Sequence, residues 1–188
     1  MKRITLTMII ILWNVPSFAG IDSLIPDYLK IQYAGNIGFI SLGTGYSFFK
    51  DRINMDVFYG YVPSRIGGKD IHMITQKNTL SPIKLKLGET YTLFPLTAGF
   101  LVNFALGDNY VLKWPSHYPR GYYKPTACYT GEFLGMRLKK KESYGPIEEW
   151  EVYIEVGTIT PYLQACIDND YIKVKDIISL AVGSSFHF

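Results

Sequence analysis

Ile177-Ile178-Ser179-Leu180-Ala181-Val182-Gly183-Ser184-Ser185-Phe186-His187-Phe188 is the stretch on which the reading of this chain turns. Ile178, Leu180, Val182, Phe186 and Phe188 share one face, interrupted only by Ser184, while Ser179, Ala181, Gly183, Ser185 and His187 share the other. A period of two with one apolar face and one small, polar face describes a β-strand whose two sides meet different surroundings.

The same alternation recurs upstream. Ile53 to Val62 sets Ile53, Met55, Val57, Tyr59 and Tyr61 against Asn54, Asp56, Phe58 and Gly60. Glu149 to Thr158 sets Trp150, Val152, Ile154 and Val156 against Glu151, Tyr153, Glu155 and Gly157. Tyr91 to Ala105 sets Leu96, Ala98, Phe100, Val102 and Phe104 against Thr97, Gly99 and Asn103, with Pro95 bending its start. Ala127 to Leu138 is a further strand of unassigned parity.

Ile31 to Phe48 reads as one strand whose apolar set moves from odd positions (Ile31, Tyr33, Ile37) to even ones (Ile40, Leu42, Thr44, Tyr46, Phe48). A bulge at Gly38-Phe39 would produce that change. Asp70 to Lys77 and Ser81 to Leu87 read as two short strands, the second placing Ile83, Leu85 and Leu87 opposite Lys84 and Lys86. Eight strands result, and an even count puts both chain ends on one side. The two long connections, Leu106 to Thr126 and Pro161 to Asp176, then fall on the other.

Composition narrows the class. Lys2 and Arg3 precede an apolar run from Ile4 to Trp13, and Ser17-Phe18-Ala19 followed by Gly20 presents small residues where a signal peptidase would cut. A single membrane anchor is the rival, but the run is short for a bilayer and Pro16 breaks it. Cleavage after Ala19 leaves residues 20–188 as one domain, about the size of a small closed barrel.

With Lys2 and Arg3 removed from the 19 basic residues, charge nearly balances the 16 acidic ones, so the composition does not point to nucleic acid. No apolar run of about twenty residues follows, which excludes a further helical span. Yet 48% of residues are hydrophobic and 15% aromatic, as a barrel needs when half of each strand faces hydrocarbon and its ends face headgroups. A secreted β-sandwich is the competing architecture.

A chain that stops on an aromatic directly after such a strand resembles the small outer-membrane β-barrel proteins of bacteria. The Glu155-Val156-Gly157-Thr158 run and Asp176-Ile177-Ile178-Ser179-Leu180 also resemble segments of barrels of this class. The resemblance implies an all-β, transmembrane, up-and-down antiparallel barrel of about eight strands in the bacterial outer membrane. It further implies outer-membrane lipid and lipopolysaccharide as surroundings, and the barrel-assembly machinery as a partner reading Phe188. It brings neither an activity nor an oligomeric state, and no cofactor is expected.

An eight-stranded barrel is only wide enough to be filled by side chains, so bulk permeation is not expected. Asp56, Lys84, Lys86, Arg137, Glu151, Glu155 and His187 are the polar candidates for the lumen, where opposite charges must pair. The loop from Leu106 to Thr126 carries Trp114, His117, Tyr118, Arg120, Tyr122, Tyr123 and Lys124, flat faces and cations suited to sugars, phosphates or a protein. The competing role for those residues is an aromatic girdle among headgroups.

A lipid A acyl hydrolase or transferase is the enzymatic alternative, because barrels of this size include such enzymes. It needs a Ser nucleophile, a His base and an orienting carboxylate within reach of one another. The deacylase pattern of His-x-Ser followed by Glu is absent; Ser185-x-His187 runs in the reverse order and Ser116-His117 are adjacent. No catalytic residue is therefore assigned. Three scattered histidines and two cysteines lack metal-ligand spacing. Cys128 and Cys166 could pair in an oxidising compartment, and free thiols fit the sequence equally well.

Overall fold

The structure is a computed structural model that describes residues 25–107, 110, 126–142, 145–169 and 171–188. The expected signal segment and the aromatic loop from Trp114 to Lys124 lie outside them. Among the described residues, nine strands form one antiparallel sheet: β1 (Tyr28–Ala34), β2 (Ile40–Phe48), β3 (Ile53–Val62), β4 (Ile71–Leu80), β5 (Leu85–Leu87), β6 (Tyr91–Leu106), β7 (Cys128–Lys141), β8 (Glu149–Ile159) and β9 (Ser179–His187).

Eight of the nine close a barrel. β1 pairs with β2 on one side and with β9 on the other, from Tyr28↔His187 to Ala34↔Ala181, so the first strand and the last seal the wall. β4 skips β5 and pairs with β6 from His72↔Leu106 to Leu80↔Ala98. β5 pairs only with the first residues of β6 and stands outside the closed wall as the arm of a hairpin. Closure leaves the barrel wall no open edge.

Two differences from the sequence reading offset each other. The stretch from Ile31 to Phe48 is a hairpin, not a single bulged strand: β1 and β2 pair antiparallel with Tyr33 opposite Ile40. A turn changes parity as a bulge does, and positive φ at Ala34 (60°), Gly35 (82°) and Gly38 (135°) makes the turn here. Ile37, expected outside, is only 1% exposed, because the turn folds into the barrel mouth. Conversely, the two short strands expected between Asp70 and Leu87 are one barrel strand, β4, and the β5 arm. The barrel count stays at eight, and the connections after β6 and β8 leave on the side opposite the strand ends Tyr28 and His187.

Strand alternation sorts the side chains. On β3, Asn54, Asp56, Phe58 and Gly60 are buried while Met55, Val57 and Tyr59 are exposed. On β9, Ala181, Ser185 and His187 are buried while Leu180 and Val182 are exposed. β7 resolves to the same rule, with Gly131, Phe133, Arg137 and Lys139 inward and Glu132, Leu134 and Met136 outward. A register shift between Phe94 and Thr97 on β6 coincides with Pro95, which cannot donate to the ladder. Among the described residues, the short helices α1 (Ser64–Gly67), α2 (Thr160–Asp168) and α3 (Val174–Ile177) lie in connections on the loop side.

The wall is therefore inside out relative to a water-soluble barrel. Its outer face presents Leu42 (61% exposed), Val57, Phe100, Leu134 (59%), Val156 and Leu180, whereas its interior holds Lys30, Asp56, Lys77, Arg137, Lys139, Glu151 and Glu155, each less than 9% exposed. The apolar part of the interior is small. Ile37, Phe58, Leu101 and Phe133 cluster beneath the inward turn on the loop side.

Candidate functional site

Below the apolar cluster on the loop side, the interior is filled by ion pairs down to the terminus-side mouth. At mid-height, Lys30 Nζ lies 3.0 Å from Asp56 Oδ2, and Tyr28 Oη donates to Asp56 Oδ1 at 2.6 Å. Asn54 Nδ2 donates to Tyr28 Oη at 3.1 Å, which leaves that phenol oriented toward the carboxylate. Nearer the loop side, Lys77 Nζ lies 2.5 Å from Glu155 Oε2 and also donates to Gln32 Oε1, which accepts from Tyr153 Oη as well. Lys77 sits over the Phe133 ring with its nitrogen 4.5 Å from the centroid. Each buried charge thus meets an opposite charge and further donors or ring faces, which offsets the cost of removing it from water.

The terminus side is closed differently. Arg137 Nη1 donates to Glu151 Oε2 at 3.0 Å, and its guanidinium stacks 3.9 Å from the Phe94 ring centroid. Phe49, Lys50 and Asp51, in the turn between β2 and β3, all have positive φ (53°, 59° and 67°), a backbone that costs non-glycine residues energy. That turn carries Asp51 under the barrel mouth. Its carboxylate accepts from Lys84 Nζ at 2.8 Å and Lys139 Nζ at 3.1 Å, and its carbonyl accepts from Arg137 Nη2. Burial by itself would raise the Asp51 carboxyl, but the hydrogen bonds and charges of Lys84 and Lys139 outweigh it and bring it down to about 2.

Among the polar residues expected in the lumen from sequence, Asp56, Arg137, Glu151, Glu155 and His187 are buried inside the wall. Lys84 lies at the mouth, partly exposed, and Lys86 is exposed on β5, because that segment is a hairpin arm and not a barrel strand. Three buried cations were missed: Lys30, Lys77 and Lys139. The strands read from sequence begin one residue after Lys30, end on Lys77 and stop one residue short of Lys139. Parity could have found them, since Lys30 shares a face with Gln32, Lys77 with Thr75 and Thr79, and Lys139 with Arg137.

Ser185 and His187 do approach each other, with Ser185 Oγ 3.2 Å from His187 Nε2 and 3.2 Å from Glu151 Oε1. The arrangement is not that of a hydrolase. Its carboxylate bonds the serine instead of orienting the second ring nitrogen, Arg137 already engages Glu151, and Ser185 is wholly buried. Cys128 and Cys166 are free thiols, so the disulfide allowed by the sequence is not formed; Cys166 Sγ donates to the Ile172 carbonyl at 3.2 Å. Among the described residues, no three His, Cys, Asp or Glu side chains are grouped to hold a metal ion. A cavity of about 20 Å³ bordered by Gln32, Lys77, Glu155 and Ser179 has room for a water molecule but not for a larger ligand.

Compared with family models, with curated proteins and with solved structures, the chain matches none. The fold and its interior define the class by themselves: a closed antiparallel barrel of eight strands whose lumen is filled by side chains.

Proposed function

We propose that this chain is an exported outer-membrane protein whose barrel crosses the bilayer as a closed plug and presents its loop side as a binding surface. The observation that carries the reading is the inversion of polarity across the wall. Leu, Val, Ile and Phe side chains stand exposed on the outer face, while four cations and three carboxylates are enclosed. In water, such an arrangement would forgo the burial of apolar area, the dominant favourable term in folding, and would still bear the desolvation of the ions. Hydrocarbon outside removes the first penalty, and the pairing inside offsets the second.

Strand lengths support the same reading. β2, β3, β4, β8 and β9 run from 9 to 11 residues, which matches the span of a tilted strand across a bilayer core. The paired interior argues for anchoring and recognition over permeation. Recognition falls to the loop side, where β6 ends and β7 begins; the sequence that joins them carries Trp114, His117, Tyr118, Arg120, Tyr122, Tyr123 and Lys124, residue types suited to lipopolysaccharide, sugars or a protein surface.

The test is heat-modifiability of the chain refolded into detergent, measured by gel mobility with and without boiling beside a circular dichroism spectrum. Faster migration before boiling and a β-rich spectrum are expected. A chain that stays soluble without detergent and migrates identically in both lanes would sink the proposal.

A further inference from the structure

The hairpin made by β5 and the start of β6 rises beyond the closed wall on the terminus side. β4 ends its pairing with β6 at Leu80↔Ala98, and on that flank β5 takes its place, at Leu85↔Leu93 through Leu87↔Tyr91, while β7 stays paired along the other edge of β6 from Tyr91↔Lys140. Alternation makes this arm two-faced. Ile83, Leu85 and Leu87 are 44%, 45% and 49% exposed on one side, and Lys84 and Lys86 point to the other.

The lysine side forms a wall of a basin of about 400 Å³. Lys84, Lys86, Lys139, Lys141, Glu89 and Glu149 line it. Its floor is shut, because Lys84 lies over the Phe94 ring (5.5 Å to the centroid) that Arg137 also covers, and Asp51 bridges Lys84 and Lys139. The basin is therefore a cup and not the entrance to a channel.

Its charges are unequally used. Asp51 and Glu149 are both committed to Lys139, at 3.1 and 2.8 Å, and Asp51 also to Lys84. Among the described residues, Lys86 and Lys141 have no carboxylate partner, although each faces a space large enough for a headgroup-sized anion. The floor lysines are balanced by Asp51 and Glu149, and the two uncommitted ammonium groups face a single unpaired carboxylate, Glu89, so the cup keeps a net positive charge.

We propose that this basin binds a phosphate-bearing anion, with Lys86 and Lys141 as the groups that engage it and Lys84 and Lys139 as the fixed floor. Phosphate suits the site because its several oxygens can accept from two separated ammonium groups at once, whereas a single carboxylate spans less. The anion is either free phosphate or the phosphate of an anionic lipid. The lipid source rests on the membrane reading, since it needs the apolar face of the arm to lie against acyl chains; the free anion does not.

The experiment begins with chain that has already passed the heat-modifiability test in zwitterionic detergent, so failure of the fold and failure of this site are separable. Inorganic pyrophosphate is titrated calorimetrically in one arm. In the other, the immobilised fraction of spin-labelled phosphatidylglycerol, against phosphatidylcholine, is read in phosphatidylcholine vesicles carrying the barrel. Saturable binding of the first probe identifies a free anion, and selective immobilisation of the second identifies a headgroup; either supports the site.

Lys86→Gln combined with Lys141→Gln should weaken the binding at least about tenfold, and Lys86→Arg with Lys141→Arg should retain it. Raising the salt concentration should weaken it too. A folded barrel that saturates with neither probe, or whose binding is unchanged by the double Gln variant, would overturn the proposal.

Discussion

Lys77 and Glu155 join β4 to β8, two strands that are not neighbours in the wall, through an ion pair of 2.5 Å across the middle of the barrel. Both side chains are nearly sealed from solvent, at 2% and 10% exposure. Replacing Lys77 by Met removes one charge and leaves the other buried. A loss of about 3–5 kcal/mol is expected for Lys77→Met, whereas Lys77→Met with Glu155→Leu should recover most of it, because the desolvation cost leaves with the pair. Urea unfolding of the single and double variants in detergent measures the coupling. Additive losses would mean that the two side chains do not depend on each other.

The inward turn between β1 and β2 makes a second demand, on Gly60. A Cβ at that position would stand 1.8 Å from the Ile37 carbonyl oxygen, which is backbone and cannot rotate away. Gly60→Ala should therefore expel the turn from the mouth and release Ile37 from the Phe58, Leu101 and Phe133 cluster, costing about 2–4 kcal/mol. Ser41→Ala removes only the hydrogen bond from Ser41 Oγ to that same carbonyl and should cost about 1 kcal/mol. Thermal unfolding and limited proteolysis at the turn give the ranking, and equal effects would show that the close approach at Gly60 is not what seats the turn.

These two sites also show how far the sequence could be read. The faces of β3, β8 and β9 were legible because a period of two survives wherever one side must be apolar. Even the barrel count was reached, although the hairpin at Gly35–Gly38 was merged into one strand and β5 was counted as part of the wall. Parity records that a face has changed but not whether the chain bulged or turned back. Asp56, Glu151 and Glu155 stood out as charges on otherwise small or aromatic inward faces. Arg137, the partner of Glu151, stood out with them, but the partners of Asp56 and Glu155 did not, because Lys30 and Lys77 lie 26 and 78 positions from the acids they meet. Pairing across a lumen is set by strand register, which a single sequence does not encode locally.

Asp51 gives the structure a dependence on pH. Its carboxyl is held at about 2, below the ordinary value of 3.8, so the folded state binds that proton less readily than the unfolded chain does. The stabilisation is complete above about pH 5, where the unfolded carboxyl is ionised, and is lost progressively as pH falls toward 2. Solvent screening of this partly exposed carboxylate reduces it to roughly 1–2 kcal/mol. Asp51→Asn should lower stability at pH 6 and flatten the fall between about pH 5 and pH 2. Denaturant midpoints across that interval decide it, and a variant with the native slope would remove Asp51 as the cause.

Leu134 provides the sharpest test of what surrounds the wall. It stands 59% exposed near the middle of β7, opposite Ala98 on β6 and Val156 on β8. If water lies outside, Leu134→Arg changes an exposed side chain and should shift stability by no more than about 0.5 kcal/mol. If hydrocarbon lies outside, the same substitution places a guanidinium near the bilayer midplane and should cost about 2–4 kcal/mol. Phe48→Lys, at the terminus-side end of β2, should then cost no more than about 1 kcal/mol, because a lysine there reaches the headgroups. Reversible unfolding from phospholipid vesicles compares the two variants with the parent chain. A steep dependence on height along the wall is the expected result, because water solvates a cation equally at every height and a bilayer does not.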